Sequence, residues 1–172
     1  MITFTLRIAH QLLRGYLSRP VVTPEKTVAI AFRCWPIDID PFFHMNNSNY
    51  LLNAELARWR TLPAGEILLS KAVSKEGMVM LATENHVRYM HPIGPLQKYE
   101  ISTTCTVDSQ DKWLYFRHTF QEHPDDVKGK AREFAVVDLK AVVKQRNGKT
   151  IKPSTLIQES EFYREWVVRR AD

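Results

Sequence analysis

The chain has 172 residues, 44% of them hydrophobic and 25% charged, which is enough apolar material for the core of one domain and too little bias for a disordered or low-complexity protein. Its 24 Lys and Arg against 19 Asp and Glu give a formal charge of +5, which favours an anionic partner. No run approaches the ~20 apolar residues of a membrane span, and no helix-turn-helix, zinc-finger or RNA-binding signature is present, so a nucleic-acid partner is not expected.

The first 24 residues contain no acid. Helical spacing gathers Arg7, His10, Gln11, Arg14 and Ser18 on one face, opposite Phe4, Ile8, Leu12, Leu13 and Tyr16. That pattern describes an amphipathic basic helix over residues 1–24. A transit peptide, a peripheral membrane anchor and a helix packed on the domain all fit it, and packing is the default. Residues 25–172 read as a single domain.

Thr27 to Trp35, rich in β-branched and aromatic residues, reads as a strand that ends at Pro36, and the stretch to Met45 reads as an ordered loop. Asn46 or Asn47 then caps a helix that runs to Pro63. Asn49, Asn53 and Arg60 form a narrow polar stripe on it, and the rest of its circumference is apolar, so this helix is expected to be largely enclosed. A short helix is expected over Glu66 to Ser74. Four strands follow, Met78–Met90, Tyr99–Val107, Trp113–Glu122 and Arg132–Lys144, read as an antiparallel meander, and a last helix spans Thr155 to Arg170. An antiparallel sheet must bury one face, and the enclosed helix is the available partner. The fold class is therefore α+β: a curved antiparallel sheet wrapped around a long central helix, the hotdog arrangement, with extra N- and C-terminal helices.

Cys34 and Cys105 fall on strands without the spacing of a metal or redox motif and read as buried free thiols, as in a reducing compartment. His86, His91, His118 and His123 form no compact ligand set, so no metal and no cofactor is expected.

The chemistry concentrates in D38-I-D40-P-F-F-H44-M-N46-N47-S-N-Y50-L. Asn47 lies seven positions after Asp40, room for the loop to turn back and set a carboxylate near a helix N-terminus, whose free N–H groups suit a developing oxyanion. A carboxylate and such a helix end together suffice to hydrolyse an activated acyl group.

This stretch resembles the signature of the hotdog thioesterases, including the 4-hydroxybenzoyl-CoA thioesterase-like enzymes and the acyl-ACP thioesterases: Asp38, Asp40, His44, Met45, Asn46, Asn47, Tyr50, Leu51, Glu55, Ala57 and Arg58 match. It is also similar to the thioesterase superfamily member 6-like group, which pairs DLD with HMNNARYL. The resemblance implies an acyl-CoA or acyl-ACP thioesterase in which Asp40 is the catalytic carboxylate, the Asn47 N–H polarises the thioester carbonyl and His44 is a candidate general acid or base. Asn46 belongs to the helix cap and pocket wall, with Tyr50 as a further pocket candidate, and Glu55 with Arg58 forms a supporting pair behind them. The family's usual glycine before the histidine is Phe43 here, and Phe42 stands where the acyl-ACP branch has asparagine. These two phenylalanines either line an acyl pocket or close it, which leaves a non-catalytic acyl- or lipid-binding protein as the alternative. A homodimer or homotetramer and a cytoplasmic location complete the expectation, with membrane contact through the N-terminal helix left open.

Overall fold

The N-terminal segment forms one helix, Ile2–Ser18 (α1), followed by a strand, Val28–Arg33 (β1), a 3-10 turn at Pro36–Asp38 and the middle helix, Asn47–Thr61 (α2). Five further strands are Met78–Tyr89 (β2), Lys98–Val107 (β3), Leu114–Glu122 (β4), Glu133–Gln145 (β5) and Thr150–Ile151 (β6). This computed structural model describes residues 2–18, 27–61, 78–145 and 147–154. The helices expected over Glu66–Ser74 and Thr155–Arg170 lie outside them. No helix among the described residues is long and apolar enough to cross a membrane.

The sheet is antiparallel throughout, in the order β1-β3-β4-β5-β2, with β6 added to β5. The expected four-strand meander is therefore correct only for β3, β4 and β5. β2 crosses over and pairs with β5 along its length, Met78 opposite Gln145 and Tyr89 opposite Ala135. The reason lies in the segment joining β2 to β3. It carries Pro92, Gly94 and Pro95, is too long for a tight hairpin, and gives its hydrogen bonds to other parts of the chain: Met45 N–H donates to Ile93 C=O at 2.8 Å, and Leu96 N–H to Cys34 C=O at 2.8 Å. The short β6 hairpin was not expected; it turns through Gly148, whose φ of +86° suits glycine.

Register shifts between Ala82 and Glu84 on β2 and between Phe120 and Gln121 on β4 add local bend, which helps the sheet curl. Along its concave side Tyr99, Ile101, Phe120, Phe134, Ala135 and Val137 pack with Tyr50, Ala54 and Ala57 of α2. The alternating buried positions of β3 and β4 fit strands with one face on a core, while β5, central and paired on both sides, is buried along most of its length. This is the hotdog fold. Cys34 and Cys105 are both buried free thiols, and burial raises their pKa to about 11 and about 12, so neither is a ready nucleophile.

The two helices meet through their polar stripes. Asn53 is fully buried and receives Arg7 Nη2 at 3.0 Å, Asn49 Nδ2 donates to the Asp38 carbonyl at 3.0 Å, and α1 crosses α2 at Gly15 against the Arg60 backbone. Arg7 and Gln11 are half-buried, as are Ile8 and Leu12, whereas His10 and Arg14 are exposed and Leu6 and Leu13 are 63% and 59% exposed. Packing of this helix on the domain agrees with its sequence, but the side it presents mixes Arg7 and Gln11 with apolar residues. A Cβ at Gly15 would stand 2.7 Å from the Arg60 carbonyl oxygen, a backbone atom with little freedom to yield. Gly15→Ala gains ~1 kcal/mol of helix propensity, yet overpacking of this kind costs about 1–3 kcal/mol. Faster hydrogen exchange across α1 in Gly15→Ala is the expected result.

Beneath α2 lies a buried polar pair. Arg58 Nη1 donates to His118 Nε2 at 3.2 Å, so the other ring nitrogen, Nδ1, carries the proton and donates to Thr103 Oγ1 at 2.9 Å. Complete burial, and secondarily the Arg58 charge, hold His118 well below its ordinary 6.5. The unfolded state therefore takes up a proton near pH 6.5 that the folded state refuses, and stability falls as the pH drops below that value. Urea titrations from pH 7.5 to 5 should show this loss, with a shallower slope in His118→Gln.

Candidate active site

The segment between β1 and α2 folds back on itself. Asp38 C=O accepts Asn46 N–H at 2.8 Å, Ile39 bridges Met45, and Asp40 N–H donates to His44 C=O at 3.0 Å, so positions 38–40 run antiparallel to 44–46 as a miniature hairpin. Its tip is Asp40 to His44. Its return arm ends on Asn46, whose side chain accepts the Ser48 N–H at 2.9 Å and thereby caps α2, which begins at Asn47. The Asn47 N–H is one of the first-turn donors that a helix leaves without an intrahelical acceptor.

Within the tip, Asp40 Oδ1 accepts the Phe42 N–H at 2.9 Å, and Oδ2 lies 3.4 Å from His44 Nδ1. The Asp40 carboxylate is largely shielded and its His44 neighbour is more open. The imidazole Nδ1 is also 3.2 Å from the Met45 carbonyl. Asp40, His44 and the cap residues Asn46 and Asn47 therefore belong to one hairpin-to-helix unit.

Phe42 and Phe43 are 80% and 79% exposed, and the Phe42 ring stacks on His44 with centroids 6.2 Å apart. Among the described residues they neither fill the site nor form a closed wall over it. Phe43 has φ of +60°, the left-handed region that favours glycine, so the bulky residue occupies a glycine conformation. Phe43→Gly loses little burial and relieves ~1–2 kcal/mol of strain, partly offset by the greater freedom of glycine in the unfolded chain. A thermal midpoint equal to or slightly above the parent's is expected.

Tyr50 is buried. It meets Tyr89 edge-on at 5.1 Å and Phe120 at 5.2 Å, and burial raises its pKa to about 12, so it acts as a packed wall beneath the loop and keeps its proton. Glu55 lies farther along α2. It accepts Trp59 Nε1 at 3.3 Å, and its charge favours protonated Arg58 although burial lowers that guanidinium to about 10.

Two residues of this region, Arg7 and Tyr89, escape the motif. Arg7, from α1, forms an ion pair with the fully buried Asp38 at 3.0 Å. Asp38 also accepts the Trp35 N–H at 3.0 Å, so one carboxylate ties α1 to the base of the hairpin. Tyr89, at the end of β2, donates to the Asn47 carbonyl at 3.2 Å. Asp38 stands in the sequence signature; nothing in the sequence marks Arg7 or Tyr89 as its companions.

The thioesterase-like superfamily model matches residues 34–162. Among solved structures, YbaW of Escherichia coli, a probable thioesterase, superposes with a TM-score of 0.62 at 15% identity over 76% of this chain and 93% of its own. A 1,4-dihydroxy-2-naphthoyl-CoA thioesterase from Synechocystis gives 0.64 at 13% over 79% and 98%. A 4-hydroxybenzoyl-CoA thioesterase solved with 4-hydroxybenzoyl-CoA gives 0.59 at 15% over 77% and 96%. At these identities the superpositions speak for the fold, whereas the family model spans three-quarters of the sequence: the chain belongs to the thioesterase-like superfamily.

Proposed function

We propose that this chain hydrolyses an acyl thioester carried on coenzyme A or on an acyl-carrier protein, without a metal or cofactor. One observation supports the reading above all: the Asp40 carboxylate is held by the Phe42 N–H, beside His44, in a hairpin whose return arm caps the N-terminus of α2. In this reading the carbonyl oxygen of the substrate accepts the Asn47 N–H, where the helix dipole favours the negative charge of the tetrahedral intermediate. Asp40 either takes a proton from the attacking water or attacks the acyl carbon itself, and His44 supplies the proton to the departing thiolate. Phe42, Phe43 and Asn46 flank the acyl group at the mouth, with Tyr50 as the floor.

A homodimer formed through β2 belongs to the same proposal. Among the described residues β2 is an edge strand with β5 as its neighbour, and of Val79 to Tyr89 only Met80 and Val87 are even half-buried. Val79, Leu81 and Tyr89 are exposed apolar side chains on an unpaired edge, which a second copy would cover. Because Tyr89 also bonds the first residue of α2, such a partner would approach the active site.

The test is turnover by the purified full chain with a panel of acyl-CoAs, aliphatic and aromatic, and with acyl-carrier protein loaded with the same acyl groups. Release of thiol with at least one donor is expected. Saturable binding of acyl-CoA with no thiol release from any donor would instead favour the non-catalytic acyl-binding reading, for which the exposed Phe42 and Phe43 are the motive.

A further inference from the structure

Apart from the Asp40 site, the described residues frame a cleft of about 650 Å³ between α1 and β1. Phe32 and Leu56 lie at its base, and the exposed Trp35 and Ile37 stand on its rim. Among the described residues its charged lining is basic, with Arg7 and Arg14 from α1, Arg33 from β1, Arg60 from α2 and Lys98 from β3, joined by two histidines and by no carboxylate.

Arg7 is paired with Asp38 at 3.0 Å and Lys98 with Asp125 at 3.8 Å, and Arg14 has contacts of its own. Among the described residues neither Arg33 nor Arg60 pairs with a carboxylate; Arg33 donates to the Leu96 carbonyl at 2.9 Å. Arg60 Nε is buried without an acceptor, and so is Gln11 Oε1 without a donor, both in the lining of the cleft. Burial and the nearby Arg14 charge both disfavour the charged form of Arg60. An Arg60 N–H buried without an acceptor among like charges is relieved by an anion placed beside it, whereas the Gln11 oxygen calls for a donor. Guanidinium groups fit the oxygens of a phosphate in particular, and the exposed Trp35 indole offers a flat face to an apolar or heteroaromatic body attached to it.

We propose that this cleft binds a phosphate ester carried on such a body, either the phosphorylated nucleotide end of a coenzyme A thioester or the headgroup of an anionic lipid. The nucleotide source rests on the thioesterase reading; the phosphate chemistry does not. Binding of adenosine 3′,5′-bisphosphate to the full chain is measured by calorimetry without any turnover, beside adenosine as the phosphate-free control. Flotation with vesicles of phosphatidylcholine, alone or with phosphatidylglycerol, forms the second arm. Arg33→Gln, on the edge strand, and the double variant Arg33→Gln/Arg60→Gln are compared with the parent at matched thermal midpoints.

Bisphosphate binding that adenosine does not share, weakened about tenfold by Arg33→Gln and lost at high salt, establishes the nucleotide source. Flotation only with the anionic vesicles, reduced by the same substitution, establishes the lipid source. If neither probe binds, or if binding ignores Arg33→Gln, the cleft is not a phosphate site. Should the double variant not fold, the single variant and the salt dependence still decide. Thiol release in the absence of any phosphate binding would overturn this proposal and leave the hydrolytic reading standing.

Discussion

Asp40→Asn is expected to lower kcat by roughly a hundred- to ten-thousand-fold with little change in KM, the span that a positioned base or nucleophile contributes. Asparagine is the clean replacement because its amide oxygen can still accept the Phe42 N–H, so the hairpin tip keeps its shape while the negative charge disappears. Asp40→Ala removes that bond as well and should cost a further ~1 kcal/mol of stability. Comparing the two separates chemistry from loop order: a kcat lost in the alanine variant but kept in the asparagine variant assigns Asp40 to holding the loop. His44→Gln should lower kcat less than either, because water can replace a proton donor at a partly open position.

Arg7→Ala is expected to destabilise the protein by roughly 2–4 kcal/mol, somewhat under the ~3–5 for breaking a fully buried ion pair, since the Arg7 side chain is a quarter exposed. The change leaves the Asp38 carboxylate, which is fully buried, with the Trp35 N–H as its remaining neighbour in this network. A fall of about 5–15 °C in the thermal midpoint corresponds to that loss in a domain of this size. Arg7→Lys keeps the charge but lacks the fork that reaches Asp38 and Asn53 together, so it should recover only part of the difference. Asp38→Asn provides the reciprocal case and should lose nearly as much, because the Arg7 charge is then left unpaired. Since Asp38 C=O also holds the N-cap residue Asn46, these variants should lower activity along with stability. Equal midpoints for Arg7→Ala and the parent would show that α1 contributes no anchoring.

Local pattern carried much of this fold into the sequence. Strand extents agree within a residue or two because alternation on β3 and β4 reflects one buried face, and Asn46 announces α2 because a short side-chain acceptor before an apolar helix has few other uses. Strand partnership was not local. β2 and β3 are consecutive, but whether they pair depends on what the segment between them bonds to, and Ile93 and Leu96 bond to Met45 and Cys34. The polar stripes of α1 and α2 were each legible; that Arg7 reaches Asn53 and Asp38 was not, because hydropathy assigns arginine to solvent and cannot anticipate a buried Asp38 to receive it. At the candidate site the motif singled out the loop and the cap. The left-handed backbone at Phe43 and the reach of Tyr89 to Asn47 are tertiary facts that no spacing encodes.

In the proposed reaction the thioester lies between the Asp40 hairpin and the first turn of α2. A crystal structure of Asp40→Asn with a bound acyl-CoA tests it most directly. The thioester oxygen should lie ~2.7–3.1 Å from the Asn47 N–H, with the side chain at position 40 facing the acyl carbon. An acyl-CoA seated with its thioester away from both groups would contradict it.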